Sequence, residues 1–395
     1  MSDAREPRRV LFVCRAASSE SVKAAQALAG LENVDVVTAT ELNESSLRDE
    51  HGSLERIVTA QETLLEAVAL ANEALGLPGL SVEVVRRTLD KSQLKSVLNQ
   101  AGINTPRSDR EIGFPMVLKS LSGSGALATL LIKSEEDLER VVELNRDSAD
   151  FLLEEYIEGQ ELCIDTITIN NEPQFHSICC YQPSILEAVE HPETQWSCVM
   201  PRDMQPYHAF IEQGLNAIRA LKVGNAMTHM EGFIDSTGRP WFTDATLRPA
   251  GARIAPMLAH AYDIDPYRAW ARVAIDGCFD GPWERKYAVG TIFLRGTGSG
   301  VVEEVAGFDA VEREFGELLV EVRPPRKGTP KSVSYTGDGF ITIRHPETHV
   351  VQHALASIAK QVRTTYSSNA QAAAEWRDRL RNFGELNRPA WDQAN

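Results

Sequence analysis

The chain has 395 residues, too many for one compact core, and at about 150 residues per domain it divides into roughly two or three units. With 43% hydrophobic and 24% charged residues it excludes disordered and collagen-like classes. Its 40 Lys+Arg against 56 Asp+Glu give a net charge of -16, which opposes broad contact with a phosphate backbone and argues against a nucleic-acid partner.

The first apolar run, Val10 to Cys14, is too short for a leader peptide, and no run reaches the roughly 18 residues needed to span a bilayer. A cytoplasmic protein with no membrane partner is expected. Six cysteines without C-x-x-C spacing read as reduced packing residues, with adjacent Cys179 and Cys180 on a strand.

The strand Val10 to Cys14, a polar loop Arg15 to Glu20 and an Ala-rich helix to Ala29 open an α/β unit, followed by a strand near Val34 to Thr38. The loop lacks the G-x-G-x-x-G that brings a pyrophosphate against the backbone, so no dinucleotide is expected there. A helix is expected over Leu54 to Leu75, and another from Asp90 to Gly102. Strands follow at Phe114 to Ser120 and Ala126 to Lys133, then a helix opened by Ser134, then strands at Phe151 to Ile157 and Glu161 to Asn170. Helices are expected at 208 to 221 and at 266 to 276, the second capped by Asp265, with Pro266 first and Gly277 after it. From Tyr287 the chain is strand-rich, with a helix near Gln352 to Tyr366.

Three segments suggest chemistry. Thr228 to Arg248 reads as a hairpin turning at Ser236 to Arg239, with partners whose numbers sum to 475: Glu231 opposite Asp244, His229 opposite Thr246, Phe233 opposite Phe242. Two opposed carboxylates about 5 Å apart at Cβ repel unless a cation lies between them, and oxygen-only donors suit Mg²⁺. Solvated hairpin carboxylates are the plain alternative. In the second segment, Lys119 precedes Ser122, Gly123, Ser124 and Gly125, a small-residue loop able to cover phosphates, or an ordinary hairpin tip. The order is the reverse of a Walker loop. The third segment is the apolar strand from Phe151, which meets an acidic bend at Glu154-Glu155-Tyr156-Ile157-Glu158-Gly159-Gln160-Glu161, either an adenosine pocket or a charged turn.

In this order, with Asp90-Lys91 ahead and Arg248-Pro-Ala-Gly251 behind, the segments resemble the ATP-grasp superfamily, specifically its carboxylate-amine ligases of the amino-acid ligase type, over about residues 60 to 345. The resemblance implies an α/β protein with the ATP-grasp fold: an N-terminal Rossmann-like pre-ATP-grasp lobe (1–88), a lid-bearing subdomain (89–158), a second subdomain with the metal site (159–284) and a strand-rich C-terminal lobe with a helical tail (285–395). It places Lys91, Lys119 and Ser122 to Gly125 on ATP phosphates, Glu154 with Glu155 and the Ile157 backbone on adenine, and Glu161 on ribose. Glu231, Asp244 and Thr246 would hold Mg²⁺, or Mn²⁺. Arg248 would stabilise the transferring phosphoryl group, and Gly251, Ala252 and Arg253 would meet the substrate carboxylate. His229 is the nearest candidate base by position.

The family usually has Glu-x-Asn-x-Arg where this chain has Asp244-Ala-Thr246-Leu-Arg248, which alters the metal site. The expected activity joins a small carboxylate, such as an amino acid, to an amine with release of ADP and phosphate. Transfer to a carrier-protein thiol, or a degenerate ATP-binding module, are the alternatives. A homodimer is common among such proteins.

Overall fold

The computed structural model describes residues 7–15, 18–42, 53–108, 112–120, 129–144, 151–332 and 334–368. Strand β1 (Arg8–Val13) is flanked in parallel by β2 (Val34–Ala39) and β3 (Arg56–Val58), with helix α1 (Ser19–Ala29) between the first two. Val10 to Val13 are wholly buried, as a central parallel strand covered on both faces requires.

The expected single helix from Leu54 to Leu75 is corrected. Its first part is β3, and only after a 3₁₀ turn at Glu62–Leu64 does α2 (Leu65–Leu75) begin. Periodicity cannot separate so short an apolar run from a helix start. What settles it is tertiary: β3 pairs with β1 on one side, and on the other the buried Asn72 side chain accepts from the Ile57 N–H at 3.0 Å and donates to its C=O at 2.9 Å.

Next come α3 (Val82–Leu89), which the sequence reading left out, and α4 (Lys91–Gln100), capped by Asp90 as expected. A small antiparallel sheet follows: β4 (Met116–Ser120) lies between β5 (Thr129–Ile132) and, beyond α5 (Glu135–Leu144), β6 (Phe151–Glu155).

The remainder is built on one large sheet. Its elements are β7 (Gly159–Ile169), β8 (Glu172–Gln182), α6 (Ile185–Glu190), β9 (Trp196–Met200), α7 (His208–Leu221), β10 (Ala226–Asp235), β11 (Pro240–Thr246), α8 (Ile254–Tyr262) and α9 (Pro266–Asp276). Then come β12 (Ala288–Leu294), β13 (Gly296–Thr297), β14 (Val302–Ala306), α10 (Phe308–Phe315), β15 (Leu319–Arg323), β16 (Gly339–His345), α11 (Thr348–Gln361) and β17 (Arg363–Tyr366). The eight-stranded order is β11-β10-β7-β8-β9-β12-β16-β15, antiparallel throughout. Cys179 and Cys180 lie on β8, and Cys14, Cys163, Cys179, Cys180, Cys198 and Cys278 are all free thiols. No described helix is long and apolar enough to cross a membrane.

The closing helix expected to reach Tyr366 stops at Gln361. The β-prone Thr364, Thr365 and Tyr366 pair with β14 instead.

The β10–β11 hairpin carries a second correction. Glu231 faces Asp244 and His229 faces Thr246 as expected, but a bulge between Glu231 and Gly232 moves the register by one, so Phe242 lies opposite Gly232 and Phe233 opposite Trp241. Gly232 makes the bulge possible, because a Cβ there would sit 2.1 Å from the Trp241 carbonyl oxygen. Phe242 thereby stacks on Phe210 of α7 at 4.8 Å. Gly232→Ala is expected to destabilise the protein by about 2 kcal/mol through overpacking; an unmoved denaturant midpoint would show that the bulge tolerates a methyl group.

Candidate active site

One cleft of about 460 Å³ collects most of the singled-out side chains, between the small sheet, the β6–β7 bend, α6, the hairpin and the Arg248–Ala252 turn. Its organising feature is an alternating row of charge. The Asp244 carboxylate accepts from Lys91 Nζ at 2.9 Å and from Lys119 Nζ at 3.1 Å. Lys119 also reaches Glu154 at 3.2 Å, and Glu154 takes Lys95 Nζ at 2.6 Å. Lys91 and Lys95 are one turn apart on α4 and share a face, Lys119 ends β4, Glu154 lies on β6, and Asp244 lies on β11.

Burial opposes ionisation of Asp244, but Lys119 and Lys91 outweigh it and hold its carboxyl well below the usual carboxylate range. Burial also opposes the Lys119 ammonium, and Asp244 and Glu154 overturn it, so Lys119 is raised above ordinary lysine. At Lys95 burial prevails over Glu154 and the ammonium is lowered.

His229 is buried, with Nδ1 at 3.0 Å from Asp165 and Nε2 at 3.3 Å from Glu231. Burial opposes its charge, but Asp165 and then Cys163 raise its pKa well above the ordinary histidine value. Lying between two carboxylates, the ring is arranged to hold Glu231 in place. Thr246, opposite His229, is buried, and its Oγ1 has no hydrogen-bond partner among the described residues. Glu161 accepts from the Ile185 N–H at 2.6 Å at the start of α6; burial and then Glu231 push its pKa up to about 8.

Glu155 pairs with Arg107 at 3.1 Å and lines the cleft together with Tyr156, Ile157 and Glu158. Arg248 donates from Nε and Nη2 to Glu62 at 3.1 and 2.7 Å. Gly251 and Ala252 line the cleft. Arg253 does not: its guanidinium bonds Glu321 and lies 4.0 Å over the Phe340 ring. Ser122, Gly123, Ser124 and Gly125 fall outside the described residues.

Sequence reasoning missed Lys95, Asp165 and Glu62. Lys95 was detectable as the i+4 partner of Lys91, whereas Asp165 and Glu62 become visible only through strand pairing and lobe packing.

Residues 88–220 match the family model of the ATP-grasp domain. That segment is similar to the ATP-grasp domain, and the fold is that of ATP-grasp proteins. The solved L-amino acid ligase from Bacillus licheniformis superposes with a TM-score of 0.73 at 19% identity, over 92% of this chain and 100% of its own. By sequence, the L-arginine-specific L-amino acid ligase of Bacillus subtilis is 22% identical over 243 residues, 57% of this chain and 58% of that protein. The alanine–anticapsin ligase of Bacillus subtilis (strain 168) is 22% identical over 244 residues, 53% of this chain and 51% of that protein. The chain therefore spans about half the length of the curated relatives it matches.

Lys95→Met leaves the buried Glu154 with one lysine instead of two and is expected to cost about 3 kcal/mol of stability in chemical denaturation. A loss below about 1 kcal/mol would mean that Lys119 alone neutralises Glu154.

Proposed function

We propose that the protein is an ATP-dependent ligase that activates a small carboxylate of the amino-acid type as an acyl phosphate and joins it to an amine, releasing ADP and phosphate. The observation that carries this reading is the ion-paired row Lys91–Asp244–Lys119–Glu154, which lines the same cleft as Arg248 and is backed by Lys95. Lys91, Lys119 and Arg248 supply cations to a wall that also carries Glu154, Glu161, Glu231 and Asp244, a mixture that suits a polyphosphate accompanied by a divalent cation.

The donor set fits Mg²⁺: Glu231 and Asp244 are directly opposed, all donors are oxygen, and the Thr246 hydroxyl is buried without a partner among the described residues. Glu231, Asp244 and Thr246 would hold the ion, with Lys91 and Lys119 on the phosphates of ATP. Glu154, Ile157 and Glu161 would line the nucleoside, as the acidic bend is part of the cleft wall. Mg-ATP supplies the transferable phosphoryl group and the neutralising divalent charge.

The chain's own side chains do the rest. A carboxylate is a poor electrophile; as its oxygen attacks phosphorus and ADP departs, negative charge spreads over the phosphoryl oxygens, and Lys119 and Arg248 stand where they can balance it. The amine then attacks the activated carbonyl carbon, loses a proton and expels phosphate. Gly251 and Ala252, next to Arg248, are placed to meet the carboxylate.

With Mg-ATP and pooled amino acids and amines, the purified protein is expected to release ADP in a substrate-dependent manner, and Arg248→Ala should reduce turnover at least a hundredfold while ATP affinity stays within a few-fold. ATP binding without substrate-dependent release would favour a non-catalytic nucleotide-binding module. Asp244→Asn should raise the Mg²⁺ concentration for half-maximal rate about tenfold, on the scale of losing one well-placed charged ligand; an unchanged titration would remove Asp244 from the metal site.

A further inference from the structure

Glu62 comes from the N-terminal lobe, 186 residues from the arginine it touches. It opens the 3₁₀ turn after β3, at the carboxyl edge of the parallel sheet. The backbone that presents it is tied down locally. Thr59 Oγ1 donates to the Val13 carbonyl at 2.9 Å, the Gln61 N–H donates to Thr59 Oγ1 at 3.0 Å, and Gln61 Oε1 accepts from the Arg15 N–H at 2.9 Å. From this platform a single oxygen, Glu62 Oε2, takes both Nε and Nη2 of Arg248, while Arg248 Nη1 donates to the Pro249 carbonyl at 2.9 Å. All three guanidinium nitrogens are engaged, so the plane is held in one orientation. One N–H on each terminal nitrogen remains for the cleft, because the group has five in all.

We propose that Glu62 is a positioning residue for Arg248, so that the N-terminal lobe acts on the phosphoryl-transfer centre by aiming this one guanidinium. The inference rests on the ligase reading above. An arginine side chain carries about 2 kcal/mol of rotamer entropy, and Glu62 removes that freedom before substrate arrives. A misplacement of about 1 Å at such a centre costs on the order of a hundredfold in rate. The competing role is a damper, in which the carboxylate weakens the pull of Arg248 on an anionic phosphoryl group, and it predicts the opposite sign.

The test compares kcat and the KM for ATP in the full chain. Glu62→Gln should lower kcat about tenfold and Glu62→Ala about a hundredfold, with the KM for ATP within twofold of wild type. The decision rests on Glu62→Gln, which keeps the size of the side chain; its thermal midpoint and circular dichroism are read alongside to confirm the native fold. In the Arg248→Lys background Glu62→Gln should cost nothing further, since it acts only through the guanidinium. A kcat for Glu62→Gln that is unchanged or raised, a defect confined to KM, or multiplicative losses in the double variant would overturn the proposal. Wild type that turns over beside an unimpaired Glu62→Gln defeats this inference alone, whereas wild type without substrate-dependent ADP release defeats the ligase reading and this inference with it.

Discussion

The Asp244 carboxylate, shared between Lys91 and Lys119, is the contact on which the rest of the cleft depends. It joins three pieces of chain far apart in sequence: the first turn of α4, the end of β4 in the small sheet, and the far strand of the β10–β11 hairpin. Removing one lysine leaves this part-buried carboxylate under-compensated, so none of the three pieces can shift alone without weakening the pairing. Lys119 extends the same constraint to β6 through Glu154, and Lys95 returns it to α4. The row closes into a loop of elements whose spacing is set by ion pairs of 2.6 to 3.2 Å. Of the row's cations, Lys91 and Lys119 line the cleft, and Lys95 supports Glu154 from behind.

A second chain of contacts runs beside the first and fixes the opposite strand. Asp165 on β7 holds His229, and His229 holds Glu231, so the carboxylate opposite Asp244 is oriented from behind by two buried groups. Glu161, raised by burial and by Glu231, stands nearby as a group whose charge is already disfavoured. The cleft therefore separates its carboxylates by environment. Asp244 is kept ionised by lysines, whereas burial and the neighbouring Glu231 push Glu161 toward its neutral form.

Local sequence pattern carried much of this architecture and stopped where tertiary pairing decides. Helices α7 and α9 were legible to the residue, the second because Asp265, Pro266 and Gly277 each obey a local stereochemical rule. The Glu231–Asp244 pairing was legible because strand alternation and one turn fix it. The bulge just beyond was not, since it follows from the closeness of Gly232 to the Trp241 carbonyl across the hairpin. In the same way β3 and β17 depend on partners far along the chain, and a three- or four-residue run has no period of its own. In the cleft, Lys95 lay within reach of helical spacing, while Asp165 and Glu62 acquire meaning only from what they touch.

The floor of the cleft shows how a distant part of the fold shapes the site. Ala252 and Arg253 both sit in the left-handed region, with φ of +46° and +67°, directly after the Arg248–Gly251 turn. Non-glycine residues adopt this conformation at a cost of order 1–3 kcal/mol each, and persist there only when their surroundings over-determine them. The over-determination is visible at Arg253, whose guanidinium is bonded to Glu321 on β15 and stacked on Phe340 of β16, both strands at the far edge of the large sheet. That anchoring turns Arg253 away from the cleft and leaves Gly251 and Ala252 at its wall. A substrate carboxylate at this wall would therefore meet backbone and a small side chain, with Arg248 as the neighbouring positive charge, so the C-terminal strands help shape a site that they do not line with their own β15 and β16 side chains.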